Sequence, residues 1–151
     1  MSHSFNRIWI HSIWSTKERI ELINPSIEEK IYADIKKEFI TAGCPVHVLN
    51  GMPDHVHCLF LLNPQRSVAD IIKQVKGSVS HQVNQTNLVK EKFAWQTGYA
   101  AYSVSESAID RVYQYIRNQK EHHKKMDFKQ EYEKLLSLHS LQLNDPGKIV
   151  L

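Results

Sequence analysis

Cysteine is scarce in this 151-residue sequence: only Cys44 and Cys58 occur, at neither the spacing of a thiolate metal site nor that of a disulfide framework. A cystine-stapled scaffold is excluded, and both residues, in or beside apolar strand-like runs, read as small core side chains in a reducing compartment. Long apolar runs are missing as well. No segment is long enough to span a bilayer, and residues 1–7 lack the apolar core of a signal peptide, so the expected location is the cytoplasm, with no membrane partner. There is no internal repeat and no low-complexity tract. Neither sign of charge dominates: 19 Lys and Arg against 16 Asp and Glu give a net +3, which permits a polyanion partner without requiring one. What is present, 42% hydrophobic and 23% charged residues, is the make-up of a soluble globular protein, of a length that suits one domain with a core needing no disulfides.

Residues 5–14 alternate Ile8 and Ile10 with Trp9 and His11 and read as a first strand. Trp9 and Trp14, beside the basic cluster of Lys17 and Arg19, suit either a core or a base-stacking platform with phosphate contacts. Asn24 and Pro25 supply an N-cap and first-turn proline for a helix whose Ile27, Ile31, Ile35 and Phe39 recur every four residues, closing before Gly43. Residues 44–49 form a second strand, Asn50-Gly51 a tight turn, and the segment from His55 a third strand antiparallel to the second. That hairpin brings His47, read as a sheet-surface residue, toward His55 and His57. Ser67, with Asp70 three residues on, caps a second helix whose stripe is Val68, Ile71, Ile72, Val75, Val79 and Val83. Lys73, Lys76, Ser80 and His81 fall outside the stripe. Gly77 and its small neighbours offer either a fraying point or a surface for a sugar-phosphate backbone.

Residues 93–104 read as a loop and fourth strand, Ser105 as the next N-cap, and residues 128–139 as a short helix with a thin apolar edge. The apolar tail to Leu151 suits docking on a partner. The element order is that of an α+β, ferredoxin-like fold: a four-stranded antiparallel sheet with two helices on one face. A further, C-terminal helix over about residues 105–125 carries Tyr115. The other sheet face is left for a ligand or a second subunit. Residues 1–127 are expected to form a single domain, and residues 128–151 a helical extension and tail.

Two stretches carry chemistry. In Pro53-Asp-His-Val-His57, successive strand side chains point to opposite faces, so His55 and His57 share one face about 7 Å apart, close enough to converge on one ion. Asp54 is expected on the opposite face. In the helix that follows Ser105, Ile109, Val112, Tyr113 and Ile116 fall at i, i+3, i+4 and i+7, an apolar stripe that places Tyr113 in the core. Tyr115 lies off that stripe, on a flank shared with Arg111, Gln119 and His122.

These motifs, with the Ile8-Trp-Ile-His-Ser-Ile-Trp-Ser-Thr-Lys17 strand, Phe93-Ala-Trp-Gln-Thr-Gly-Tyr99, Tyr115-Ile-Arg-Asn-Gln119 and Glu121-His-His-Lys124, resemble those of the single-tyrosine HUH transposases. That group comprises the TnpA-like enzymes of insertion sequences and their REP-associated relatives. The resemblance runs over most of the chain and stops at about Phe128. It implies that His55 and His57 bind a divalent metal, Mg²⁺ or Mn²⁺, with Gln119 as the third ligand, and that Tyr115 is the nucleophile. It implies a homodimer in which the tyrosine of one subunit meets the histidines of the other. It also implies recognition of hairpins in single-stranded DNA, cut beside the hairpin to leave a 5′-phosphotyrosine link and a free 3′-hydroxyl.

That chemistry agrees with the residue types. A cation offsets the phosphodiester's charge, and a phenolate is a good leaving group, so the covalent step is reversible by a 3′-hydroxyl and suits strand transfer. Two other readings compete. A non-catalytic or domesticated module for single-stranded nucleic-acid hairpins would use the same sheet for binding alone. A zinc-dependent hydrolase would need a carboxylate beside the histidines, and none is evident in the sequence.

Overall fold

Alternation along β1 (Trp9–Ser15) and β3 (His55–Leu61) sorts their side chains between two cores, one on each face of a single sheet. The computed structural model describes residues 3–140, and the tail read as a docking segment lies outside the described residues from 141 onward. The remaining elements are α1 (Glu28–Thr41), β2 (Val46–Met52), α2 (Val68–Gln85), β4 (Ala100–Val104), α3 (Ile109–Arg117), α4 (Gln119–His122) and α5 (Phe128–Leu138). The strands lie in the order β2-β3-β1-β4, every neighbouring pair antiparallel, which is the expected ferredoxin-like sheet.

Ile10, Trp14, Val56, Cys58 and Phe60 point to the face covered by α1 and α2, where they meet Ile31, Ile35, Phe39, Ile72, Val75 and Val79. Phe39 and Phe60 pack in a tilted pair with ring centroids 4.6 Å apart. Burying each such side chain is worth about 1.5–3 kcal/mol. Ser67 caps α2 by accepting from Asp70 N, as its sequence position indicates, and α2 runs unbroken through Gly77. At α1 the expected cap is displaced. Asn24 Oδ1 accepts from Ser26 inside a turn, and the helix begins only at Glu28.

The second face departs from expectation. It is covered by this chain's own α3 and α5: Trp9 and Leu59 pack against Ile109 and Ile116, while Ile13, Ala100 and Tyr102 pack against Phe128. Trp9 (6% exposed) and Trp14 (2%) are therefore core residues, and a base-stacking platform on them is ruled out. Trp9 Nε1 instead donates to Glu106 at 2.7 Å.

The β2–β3 hairpin also turns elsewhere than Asn50-Gly51. Met52 pairs with His55, so the two-residue turn is Pro53-Asp54, and Asn50 and Gly51 lie within β2. The glycine is there for a close approach, since a Cβ at position 51 would sit 2.1 Å from His55 O. The register shifts between Val46 and Val48, leaving His47 as an extra residue. His47 packs between Trp9 and Tyr113, away from His55 and His57.

Candidate active site

The Pro53-Asp54 turn is held from two sides, Pro53 O accepting from Ile23 N and Asp54 O from Thr16 N, each at 2.9 Å. That fixes the start of β3, and the parity of the strand then sends both His55 and His57 into the space beneath α3 and α5. Both are fully buried. Asp54 is not on the opposite face: standing in the turn rather than the strand, it brings Oδ1 to 2.8 Å from His55 Nδ1. On the neighbouring strand, His11 Nε2 lies 2.9 Å from His57 Nδ1.

Above the pair sits Glu131 of α5, a carboxylate only 1% exposed. Its Oε1 lies 3.0 Å from His57 Nε2, 3.2 Å from His55 Nε2 and 3.0 Å from His123 Nε2. Its Oε2 accepts a short hydrogen bond from the Tyr115 hydroxyl and another from Gln119 Nε2 at 2.9 Å. Gln119 Oε1 in turn lies 3.4 Å from His55 Nε2. One side chain therefore joins all four residues expected at the site, His55, His57, Tyr115 and Gln119, within a single chain. This differs from a tyrosine facing a partner's histidines.

The tyrosine helix is fastened to its own hairpin at α4. Lys120 Nζ donates to Glu28 Oε1 (2.5 Å), Asn50 Oδ1 (2.9 Å) and Gly51 O (2.8 Å), and Asn50 Nδ2 donates to Arg117 O at 2.9 Å. The single helix expected over about residues 105–125 is divided at Asn118, where α3 ends and the four-residue α4 begins. That break swings Gln119 inward to full burial. Tyr113 is half-buried against His47, and Tyr115, also half-buried, packs with the cluster of Trp9, Leu59, Ile109 and Ile116, so it is Tyr115 and not Tyr113 that joins the apolar cluster.

Electrostatics follow from the partners. Both ring nitrogens of His55 face acceptors. Burial opposes charge there, but hydrogen bonds to Asp54 and Glu131 outweigh it and raise the pKa. His57 is pulled down to about 4 by burial, against the pull of Glu131, and is neutral; with Nε2–H assigned as donor to Glu131, its Nδ1 accepts from His11 Nε2–H. Burial, followed by the proximity of His57, holds His11 well below the ordinary histidine value. Burial opposes charge on Glu131 too, yet hydrogen bonds from His123, His55 and His57 keep it ionised far below the usual carboxylate range. Burial and then the Glu131 carboxylate push the Tyr115 phenol upward.

His55, His57 and Glu131 offer donor atoms all within 4.8 Å of one another, enough to hold a metal ion. An octahedral ion with ligands at about 2.1 Å keeps adjacent donors about 3.0 Å apart, and Glu131 Oε1 lies at 3.0 and 3.2 Å from the two imidazoles. The outer contacts also fit, because metal-bound imidazoles commonly donate their second N–H to an acceptor. His55 Nδ1–H would donate to Asp54, and with the tautomers of His57 and His11 exchanged relative to the metal-free assignment, His57 Nδ1–H would donate to His11. Glu131 also supplies the carboxylate whose absence counted against a zinc-dependent hydrolase. Its signal in the sequence is an acid inside an apolar stripe, since Phe128, Glu131, Tyr132 and Leu135 recur at helical spacing.

Comparison with known proteins places these features. The sequence model of the family described as transposase, IS200-like, matches residues 4–119. The ISDra2 transposase TnpA of Deinococcus radiodurans is 27% identical over 114 residues, which span 72% of this chain and 81% of that protein. A crystal structure of a candidate transposase from D. radiodurans R1 has a TM-score of 0.64 at 25% identity, covering 79% of this chain and 95% of that one. A REP-associated tyrosine transposase, solved bound to a REP hairpin, shares the fold at a TM-score of 0.59 and 15% identity, over 82% of this chain and 74% of that one. Glu131 lies beyond the family-matched residues.

Proposed function

This chain belongs to the IS200-like transposase family, and from that premise we propose that it cuts and rejoins hairpin-flanked single-stranded DNA through a covalent tyrosine intermediate. The observation that carries the reading is the convergence of the Tyr115 hydroxyl and the ring nitrogens of His55 and His57 on Glu131. In this reading residues 1–127 are the family domain and residues 128–151 an extension that lends it Glu131.

His55, His57 and Glu131 Oε1, with Gln119 Oε1 beside them, would hold a divalent metal, Mg²⁺ or Mn²⁺. When bound, such an ion supplies positive charge against the phosphodiester. The remaining steps belong to the protein's own groups. The Tyr115 hydroxyl, aimed by its hydrogen bond to Glu131 Oε2, releases its proton to solvent as the phenolic oxygen attacks phosphorus; Glu131, held ionised by its histidines, orients the hydroxyl and does not keep the proton. The bond from phosphorus to the 3′-oxygen breaks, that oxygen takes up a proton, and a 5′-phosphotyrosine and a free 3′-hydroxyl remain. Gln119 Nε2 and His122, whose ring stacks on Tyr115 with centroids 4.7 Å apart, orient the carboxylate and the phenol. Attack by a 3′-hydroxyl reverses the sequence and joins strands. The tyrosine at the carboxylate favours this over zinc hydrolysis, to which two histidines and a carboxylate are otherwise suited.

A homodimer belongs to the reading, with β2 and β4, the outer strands of the sheet among the described residues, as the edges that would meet a second copy; sedimentation tests it. No helix among the described residues is long and apolar enough to cross a membrane, and the cytoplasm is the compartment this reading assigns.

The deciding experiment incubates the protein with labelled single-stranded hairpin DNAs and Mn²⁺, and scores a DNA adduct that resists denaturation. The expected adduct disappears with EDTA and with Tyr115→Phe. Hairpin binding that survives both controls without any adduct in wild type identifies a non-catalytic binding module instead.

A further inference from the structure

Beside Tyr115, between β4 and the helices α3 and α5, a partly open cavity of about 600 Å³ enters the protein. Its size falls in the range of about 300–1,000 Å³ typical of ligand sites. Tyr115 and His122 form one wall, Tyr102 and His139 another, and the exposed cations Arg111 and Lys134 lie at its margin. None of these residues holds the candidate metal.

Two features of the wall point to an occupant. The first is polar. Tyr102 is 5% exposed, yet among the described residues its hydroxyl has no hydrogen-bond partner, and neither has the buried Nε2 of His122. A buried donor or acceptor without a partner is costly, so both atoms call for a ligand with hydrogen-bonding edges. The second is flat. The Tyr102 and His139 rings stack at 3.9 Å with planes 9° apart, and the Tyr115 and His122 rings stack at 4.7 Å. A wholly apolar occupant would leave the two polar atoms unmet. A group with apolar faces and polar edges meets both demands, and the marginal cations suit a phosphate attached to it.

We propose that this cavity receives the base of the nucleotide adjoining the scissile phosphate, with Tyr102 and His122 contacting the base edge and Arg111 and Lys134 the flanking backbone. The proposal rests on the strand-cutting reading above and adds to it a specificity pocket. Tyr102 is a binding residue in this scheme and takes no part in bond making.

The test uses the full chain with Mn²⁺ and single-stranded hairpin DNAs in which an abasic site is moved one position at a time through the flank. Adduct yield and equilibrium binding by fluorescence anisotropy are both read. One position beside the cut is expected to lose about 5- to 100-fold on removal of its base. Tyr102→Phe is expected to weaken the intact DNA about three- to tenfold and to leave that abasic DNA unchanged. Leu135→Trp, which fills the cavity, should abolish the sensitivity to that base. No sensitive position, or the same sensitivity in both variants, overturns the pocket while an adduct still upholds strand cutting. Base-sensitive binding with no adduct upholds the pocket and overturns strand cutting. Neither signal from any DNA overturns both.

Discussion

Replacing Glu131 by alanine tests the site at its centre. The carboxylate, itself buried, accepts from the Tyr115 hydroxyl and from Gln119 Nε2, and faces ring nitrogens of His55, His57 and His123. Alanine leaves those donors without an acceptor and His55 with only Asp54 as a balancing charge. Individual orphaned groups cost about 1–3 kcal/mol, and removal of one partner from a buried charged network about 3–5 kcal/mol in total, because the survivors relax toward one another. In a chain of this size that lowers the melting temperature by about 6–20 °C. Urea unfolding followed by tryptophan fluorescence reads the loss directly, since Trp9 and Trp14 are buried in opposite cores. Mn²⁺ at about a hundredfold over its dissociation constant should stabilise wild type by about 2.7 kcal/mol and the variant by much less. Glu131→Gln, which keeps the shape and one acceptor oxygen, should fall between them. An alanine variant within about 0.5 kcal/mol of wild type, with its Mn²⁺ response intact, would falsify the central place given to Glu131.

Other perturbations probe the supports. His57 titrates near 4 when folded and near 6.5 when unfolded, so the unfolded chain gains its proton first; stability present above about pH 6.5 falls as pH drops toward 4, by at most about 3 kcal/mol. Urea midpoints measured from pH 7 to 4 should fall more steeply in wild type than in His57→Gln, and parallel curves would remove His57 as the cause. Gly51→Ala drives a methyl group to 2.1 Å from His55 O and should cost at least about 2 kcal/mol, together with Mn²⁺ binding measured by calorimetry. Lys120→Met removes three hydrogen bonds from a side chain that is 46% exposed, for a stability loss of about 1 kcal/mol. Its adduct yield should drop further than that loss explains, because α4 then loosens beside Tyr115; an unchanged yield counts against that fastening.

The sheet was legible because its strands obey period two and its two large helices keep an apolar stripe, and Ser67 announces its helix with a cap that the structure retains. His55 and His57 were legible as a pair for the same reason. What escaped was set by distance along the chain. Glu131 reaches His57 across 74 residues and His11 across 46 residues meets the same ring, and no local pattern records either approach. The turn was misplaced because Asn50-Gly51 carries the residues of a tight turn, while the glycine serves the crossing of His55 O instead. Tyr113 was assigned to the core because it continues the stripe of Ile109, Val112 and Ile116; the structure leaves it half-buried against His47, while the packing of α5 covers the flank that carries Tyr115. The second sheet face looked free because the thin apolar edge of α5 hid a buried acid among its core positions.

The shared strand β3 also governs which sequence changes this lineage can survive. Val56, Cys58 and Phe60 serve one core while His55 and His57 serve the site on the reverse side, in strict alternation. A one-residue deletion within the strand would exchange the two sets, driving imidazoles among isoleucines and valines and leaving aliphatic groups beneath Glu131. Such a chain fails to fold before its chemistry is ever tried. Selection for a stable protein alone therefore preserves the spacing of the histidines, even in a descendant whose site serves no chemistry.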